Sequence, residues 1–366
     1  MQQLTANSPE RRRVVPLVIL RVSRITRISS GLSTLLLCAC GSAPDDENLV
    51  RFVFAPDAVV RYMEDTGIIE KYERQYGKRI DFVETWDEAA FFAGGHADIA
   101  STGDYEVPAM MRESDDEFVI FGIYNLGRVP IWVKTDSPYQ SVEDLRGKTF
   151  GVTGPLSSAM IWAVMLAETE GVDLTIGTDE FDMIVNSHFA LSELLRSGDI
   201  EGGIIIAEAV VPQFASGEIR LLYDVGGTWE YYRDHFDPAR AHKGVPGNIF
   251  LARREWFDSH PEEVEFFLAM WEEALQAWRE NQEDIIRRYP EEFGLDPESE
   301  NFEAERLAMT RYTIEHDWLP DTVYLDEDWI ETESQVFDLM RRGGFMPDDL
   351  PDPTFIAVPP PATRPF

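Results

Sequence analysis

Leu145-Arg-Gly-Lys-Thr-Phe-Gly-Val-Thr-Gly-Pro-Leu-Ser-Ser-Ala159 is the stretch from which the fold can be read. It predicts a strand over 149–152 that turns at Gly154 into a helix over 157–169. The first amide N–H groups of such a helix lack internal partners and lie at the positive end of its dipole. Ser157 and Ser158 add hydroxyl donors, and glycine lets a guest approach the backbone. The stretch predicts either a pocket wall for an oxygen-rich or anionic group or an ordinary serine-capped connection.

The first 39 residues have the pattern of a secretory signal. Six arginines and a single acidic residue precede a short apolar run and a series of small residues. Leu37-Cys-Ala-Cys40 also resembles the bacterial lipobox, in which the cysteine after the cut is lipidated. We expect removal of 1–39, lipidation of Cys40 and a short tether over 40–48. The apolar run is too short to span a membrane, and a buried N-terminal helix is the alternative.

Acidic residues dominate what remains after the signal. The 366-residue chain has 32 basic and 67 acidic residues, of which the signal holds six and one, so the remainder has a net charge of −40. This charge excludes nucleic acid as a partner, because phosphate binding needs a basic patch. A hydrophobic content of 44% argues against disorder. No cysteine follows Cys40, which excludes disulfides, a thiol nucleophile and thiolate metal sites beyond it; we expect no cofactor and no metal.

Strands alternate with helices twice along the chain, which predicts parallel sheets and an α/β fold. Ligands in such sheets bind beyond the carboxyl ends of the strands. The residues that follow the predicted strands are polar or aromatic. In the first half they are Asp57, Trp86, Thr102, Gly103 and Asp104, and in the second half they are Thr153, Gly154, Ser157, Ser158, Asn186 and Glu208.

The last third is predicted to be helical. A capping box at Ser259-His-Pro-Glu262 opens a helix with an apolar stripe at helical spacing, which indicates a core face rather than ligand contacts. The stripe consists of Val264, Phe267, Leu268, Trp271, Leu275 and Trp278. Further helices are predicted over 301–345, and residues 346–366 form a proline-rich tail.

Several motifs, taken in order, resemble the solute-binding proteins of ABC importers, in the group that serves nitrate, alkanesulfonates, taurine and the thiamine pyrimidine. They are the lipobox leader, Gly95-His-Ala-Asp-Ile-Ala100 before Gly103-Asp104, Val142-Glu-Asp-Leu-Arg-Gly-Lys148, Leu191-Ser-Glu-Leu-Leu-Arg-Ser-Gly-Asp-Ile200, and Gly247-Asn-Ile-Phe-Leu-Ala252 before Ser259-His-Pro-Glu-Glu-Val264. The similarity covers roughly residues 49–285. The helical tail after 285 matches nothing in the group.

The resemblance implies a type II periplasmic binding fold, in which two α/β lobes are joined by a two-strand hinge with a ligand cleft between them. Lobe one would comprise 49–126 and a helical return over 236–345, and lobe two would comprise 127–235. The hinge crossings would lie near 125–133 and 223–248. Carried over by position, the cleft would be lined by the eleven strand-end residues named above.

Each of these residues also has a structural alternative. Trp86 would stack on a flat or apolar ligand or pack in the core. Asp57 and Asp104 bind ligand or cap helices, and Asn186 binds ligand or shapes a turn. The carboxylate of Glu208 argues mildly against a strongly anionic solute and favours a zwitterion, an amine or a neutral heterocycle, although Arg128 or Arg253 could supply a positive charge.

The function that follows is a monomeric, lipid-anchored receptor that is not an enzyme. It would capture a small organic solute, such as a sulfonate, taurine or a thiamine pyrimidine, and deliver it to the permease and ATPase subunits of an importer in the periplasm or at the cell surface. A sensor coupled to a membrane signalling partner is the alternative. A third class, the pyrimidine-synthesising enzyme of this fold, needs a cysteine-rich motif that the chain after Cys40 lacks.

Overall fold

The computed structural model describes residues 48–114, 116–239 and 244–361, so the predicted signal and Cys40 lie outside the described residues. The strands are β1 Leu49–Phe54, β2 Arg79–Glu84, β3 Ile99–Gly103, β4 Phe118–Leu126, β5 Ile131–Lys134, β6 Thr149–Val152, β7 Asp182–Val185, β8 Gly202–Ile204, β9 Ile219–Leu221, β10 Pro246–Arg253 and β11 Thr354–Phe355. The helices are α1 Ala58–Thr66, α2 Ile68–Tyr76, α3 Glu88–Ala93, α4 Val107–Glu113, α5 Ser158–Thr169, α6 His188–Ser197, α7 Val211–Ser216, α8 Thr228–His235, α9 Arg254–Ser259, α10 Pro261–Arg288, α11 Phe302–Glu315 and α12 Glu327–Arg342.

The strands form two sheets of the same design. The sheet of lobe one has the order β2-β1-β3-β10-β4-β11, in which β10 is antiparallel to both of its neighbours. The sheet of lobe two has the order β7-β6-β8-β5-β9, in which β5 is antiparallel to both neighbours. The antiparallel strand of each sheet is the first strand that the chain forms after crossing from the other lobe: β5 opens the sheet of lobe two, and β10 returns to the sheet of lobe one.

Buried aromatic side chains form the cores that hold these sheets. Phe250 of β10 packs edge-on against Phe267 of α10, with ring centroids 4.8 Å apart. All six residues of the predicted α10 stripe are buried, which confirms that this face belongs to the core. In lobe two, Trp132 of β5 stacks on Phe214 and donates its indole N–H to the Ile205 carbonyl at 2.9 Å. No described helix has the combination of length and apolarity that a membrane span requires.

Local predictions failed at two places for identifiable reasons. The sequence predicts one helix from about Met63 to Tyr76, stopped by Gly77, but the helix α1 already begins at Ala58, and Gly67 adopts a left-handed conformation (φ 74°) that separates α1 from α2. The sequence also predicts a short helix from Pro138 to Leu145, but only Glu143–Leu145 form a single 3-10 turn. The Asp144 carboxylate accepts the backbone N–H groups of Gln140 and Ser141, and this local turn competes with helix formation.

The two chain crossings pack against each other backbone to backbone. The Gly127 carbonyl, directly after β4, accepts the N–H of Trp229 at 3.1 Å, and the Gly127 N–H donates to the Val245 carbonyl at 3.2 Å. A Cβ atom on Gly227 would lie 2.1 Å from the Gly127 carbonyl oxygen. Glycine at this position therefore permits the close approach of the crossings.

Residues 289–361, here called the C-terminal extension, contact both lobes. Helix α11 packs on α7 of lobe two and on α10 of lobe one, and α12 packs on α5 of lobe two. The Leu126 N–H donates to the Trp318 carbonyl at 2.8 Å, and Tyr312 Oη donates to the Gly226 carbonyl at 3.1 Å. The sequence placed 236–345 with lobe one alone, whereas the second half of that range also lies against lobe two.

Gly227→Ala is expected to destabilise the protein by about 1–3 kcal/mol or more, because the added methyl group overpacks the crossing. Gly154→Ala is the matched control, since a Cβ atom there would meet nothing within 4 Å. Chemical denaturation of both variants measures the difference. Equal stability of the two would contradict the proposed packing constraint.

Candidate ligand-binding cleft

A cavity of about 840 Å³ lies between the two lobes. Its walls are built by the carboxyl ends of β1, β2 and β3 from lobe one and of β6, β7 and β8 from lobe two, together with the first crossing. The strand ends of each lobe lie together because the parallel strands of a sheet have their carboxyl ends at the same edge. The volume lies within the usual range for small-molecule sites.

Two of the predicted lobe-one residues lie at the cavity in different roles. Asp57 caps α1, with Oδ1 accepting the Val59 N–H at 3.1 Å, and also lines the cavity. Burial raises the pKa of Asp57, while the nearby charge of Arg128 acts in the opposite direction. Trp86 also lines the cavity, and 61% of its surface is exposed, so it is a wall residue rather than a core aromatic.

The end of β3 brings only one of its three predicted residues to the cavity. Thr102 and Gly103 are buried and do not line it; the Thr102 hydroxyl and the Gly103 N–H both donate to Glu106 Oε2, at 2.6 and 3.0 Å. Asp104 lines the cavity while being fully buried. Its Oδ1 accepts the Tyr105 N–H at 2.7 Å, and its Oδ2 has no hydrogen-bond partner.

In lobe two, Thr153, Ser157 and Ser158 line the cavity at the start of α5. The Ser157 side chain caps this helix by accepting the Ala159 N–H at 3.3 Å, and its hydroxyl donates to the Gly154 carbonyl at 2.8 Å. The Ser157 hydroxyl proton is therefore engaged within the protein. Gly154 itself does not line the cavity, and its carbonyl orients the serine.

The turn after β7 reaches the cavity through residues that the sequence analysis did not name. Asn186 is exposed outside the cavity, and its Oδ1 accepts the Ser187 N–H at 2.9 Å. Ser187, His188 and Phe189 line the wall instead. His188 Nδ1 accepts the Ile206 N–H at 3.3 Å, and burial lowers the pKa of His188 to about 4. The neutral ring then carries its proton on Nε2, where it is a hydrogen-bond donor.

Arg128 is the only Lys or Arg among the described residues that line the cavity. Its guanidinium pairs with Glu208 and lies over the Trp318 ring, 5.1 Å from the centroid. The side chains of Arg128 and Glu208 are 20% and 10% exposed, so the pair is largely withdrawn from water. Glu208 does not itself line the cavity, but it engages the arginine that does.

Several carboxyl groups lie on the side of the cavity that lobe one forms, here called the lobe-one wall. Burial raises the pKa of Glu88 and of Asp104 to about 8 each, and the charge of Glu106 adds to both shifts. Burial also raises the pKa of Glu106. Glu333 of α12 is fully buried near Asp104, whose charge adds to the burial that raises the pKa of Glu333. In each case the shift favours the protonated form of the carboxyl.

Exposed apolar side chains complete the walls from both lobes. Trp86 in lobe one faces a cavity that Leu156 and Phe189 line from lobe two, and the latter two are 47% and 60% exposed. Exposed apolar side chains that share one cavity are typical of ligand-binding grooves and interaction sites. Within the described ranges, no group of three or more His, Cys, Asp or Glu could hold a metal ion.

Comparison with known proteins identifies relatives of this architecture. The family model for the phosphonate periplasmic substrate-binding protein of ABC transporters matches residues 70–288. None of the curated protein sequences matches the chain significantly.

Several solved structures share the fold at low sequence identity. The aliphatic sulphonate binding protein SsuA of Escherichia coli is 16% identical over 83% of this chain and 95% of its own, with a TM-score of 0.64. SsuA of Xanthomonas axonopodis pv. citri, bound to MOPS, is 17% identical over 82% and 95%, with a TM-score of 0.62. The nitrate-binding protein NrtA of Synechocystis PCC 6803 is 14% identical over 82% and 83%, with a TM-score of 0.56. The predicted fold class, two α/β lobes of the periplasmic binding type, is confirmed.

Asp104→Asn is expected to stabilise the protein more at pH 8 than at pH 5. In the wild type the folded-state pKa of Asp104, about 8, exceeds the ordinary value of 3.8, so the folded chain binds more protons than the unfolded chain between these values. The free energy of unfolding therefore falls as pH rises toward 8, and the amide removes this loss. One pKa unit corresponds to about 1.4 kcal/mol.

Denaturant unfolding of both proteins at the two pH values measures this effect. Glu300→Gln is the control, because Glu300 is exposed and lies outside the cavity. If Asp104→Asn and the control show the same pH dependence, Asp104 is not held protonated.

Proposed function

The chain belongs to the family of phosphonate periplasmic substrate-binding proteins of ABC transporters, and on this basis we propose that it captures a small organic solute between its lobes and delivers it to a permease. One observation carries the proposal: a single cavity is lined by strand ends of both lobes, so a solute there would contact both. Contacts with both lobes favour a closed state over an open one, and binding is thereby coupled to hinge closure.

The walls suggest the kind of solute. Trp86 and Phe189 offer exposed aromatic faces from opposite lobes, which suits a ligand with a flat or apolar portion. His188 and the first turn of α5 offer hydrogen-bond donors for an oxygen-rich group. Sulfonates, thiamine pyrimidines and other small organic compounds are solutes that could make these contacts. Nitrate suits it poorly, because it has no apolar portion.

The cellular setting belongs to the same proposal. The lipobox places Cys40 at the start of the processed chain, where a lipid would anchor the receptor in the periplasm or at the cell surface. The partners would be the permease and ATPase subunits, and the receptor would act as a monomer. Binding and closure need no covalent step, so the proposal assigns no catalytic residue.

A thermal-shift screen with sulfonates, phosphonates, pyrimidines, amino acids and amines tests the proposal. A solute at about 100 times its Kd should add roughly 2.7 kcal/mol of stability. Once a solute is found, Trp86→Ala and Phe189→Ala are each expected to weaken its binding about 10- to 100-fold in calorimetry, because each removes one aromatic wall.

Leu307→Ala provides the matched control, since Leu307 is 51% exposed on α11 and lies outside the cavity. Its affinity should equal that of the wild type. Unchanged affinity in both aromatic variants would place the solute elsewhere and refute the assigned cleft.

A further inference from the structure

The lobe-one wall of the cavity has an excess of acidic groups. Six acidic residues line the cavity, and the one arginine among the described lining residues already pairs with Glu208. The six are Asp57, Asp87, Glu88, Asp104, Glu106 and Glu113. Wherever these carboxyls are ionised, an anion at this wall would meet like charge, and like-charge contacts are unfavourable in a specific interface. The charge pattern favours a positively charged group.

Two of these carboxyls each have one oxygen without a hydrogen-bond partner among the described residues. Glu88 is 8% exposed and Asp104 is fully buried, and the unpartnered atoms are Glu88 Oε2 and Asp104 Oδ2. Native proteins seldom leave a buried acceptor unsatisfied, and each such acceptor calls for an explanation. Both residues line the cavity, and because the two oxygens are covered in this structure, a solute would reach them after a change of side-chain rotamer.

The described neighbours of Glu88 and Asp104 do not include a free cationic side chain. Glu106 accepts from Thr102 and Gly103, and Glu333 behind Asp104 has two unpartnered oxygens of its own. Asp57 accepts from the start of α1, and Arg128 is engaged by Glu208. The surroundings of Glu88 and Asp104 therefore hold acceptors rather than free cationic donors.

Resting on the proposed function, we propose that the solute has an ammonium group bearing N–H donors, which Glu88 and Asp104 bind in the lobe-one wall beside the exposed Trp86 ring. The N–H groups supply the hydrogen bonds that the two carboxyls lack, and the positive charge offsets the acidic excess. The indole face adds a cation–π contribution, which is worth more when the cation is withdrawn from water.

Proton linkage follows from this geometry. Glu88 and Asp104 have pKa values of about 8, raised by burial with the charge of Glu106 as a further cause. Binding a cation favours the ionised carboxyls, so protons are released and affinity rises with pH up to about 8. Each proton released gives up to about a tenfold gain per pH unit.

Calorimetric titration of matched pairs tests the assignment. The pairs are taurine with ethanesulfonate and β-alanine with propionate, because the members of each pair differ in the ammonium group. We expect the ammonium compounds to bind at least tenfold more tightly at pH 7.5. Asp104→Asn and Glu88→Gln should each reduce this preference to threefold or less, whereas Glu300→Gln should leave it unchanged. The two separate variants keep the test valid if one of them fails to fold.

The outcomes separate this inference from the proposed function. An ammonium-free anion that binds as tightly as its partner, or a preference that persists in both variants, overturns the ammonium site and leaves the receptor function standing. If none of these four compounds binds at concentrations up to about 10 mM, the ammonium site is overturned. If no compound of the wider solute screen binds either, the receptor function itself is overturned.

Discussion

The rest of the structure depends on the backbone contact between the two segments that cross from lobe to lobe. Gly127 donates to Val245 and accepts from both the backbone N–H and the side chain of the second crossing, through Trp229 and Thr228. These bonds join the two crossings at one point, which is where the proposed rotation of the lobes would be centred. Arg128, the next residue, extends from that point to Glu208 of lobe two. Gly127, at the proposed hinge, and Arg128, which lines the cleft, are therefore adjacent in the chain.

The C-terminal extension bears on how far such a rotation can go. It lies beyond the part of the chain that the family model matches, which ends at residue 288. Several of its bonds are made to the crossings themselves, including those of Tyr312 to Gly226 and of His316 to Glu230 at 2.8 Å. Bonds near a rotation axis change little when the lobes close. Helix α12 packs on α5 of lobe two, while its Glu333 lies near Asp104 of lobe one and its Phe337 packs against Phe355 of β11, so it contacts both lobes.

The sequence could predict which strand ends meet, because parallel strands have their carboxyl ends at one edge of a sheet. Six of the predicted residues line the cavity: Asp57, Trp86, Asp104, Thr153, Ser157 and Ser158. Their roles toward a ligand remain predictions. The predicted residues that do not line the cavity are displaced from it for local structural reasons. Strand β3 continues through Gly103, so Thr102 turns inward, and after β7 the wall starts one residue beyond Asn186. Buried carboxyls such as Glu88 could not be found, because a chain this acidic gives no pattern that separates a buried acid from the many exposed ones.

Closure of the two lobes around a solute is the central claim, and a distance measurement across the cleft tests it most directly. Spin labels on Glu113→Cys of lobe one and Asn186→Cys of lobe two, with Cys38 and Cys40 replaced by serine, report the separation of two exposed positions, one that lines the cavity and one just outside it. We expect a saturating solute to shorten the label distance by several ångströms and to narrow its distribution. An unchanged distance distribution with the solute bound in the cleft would contradict the account.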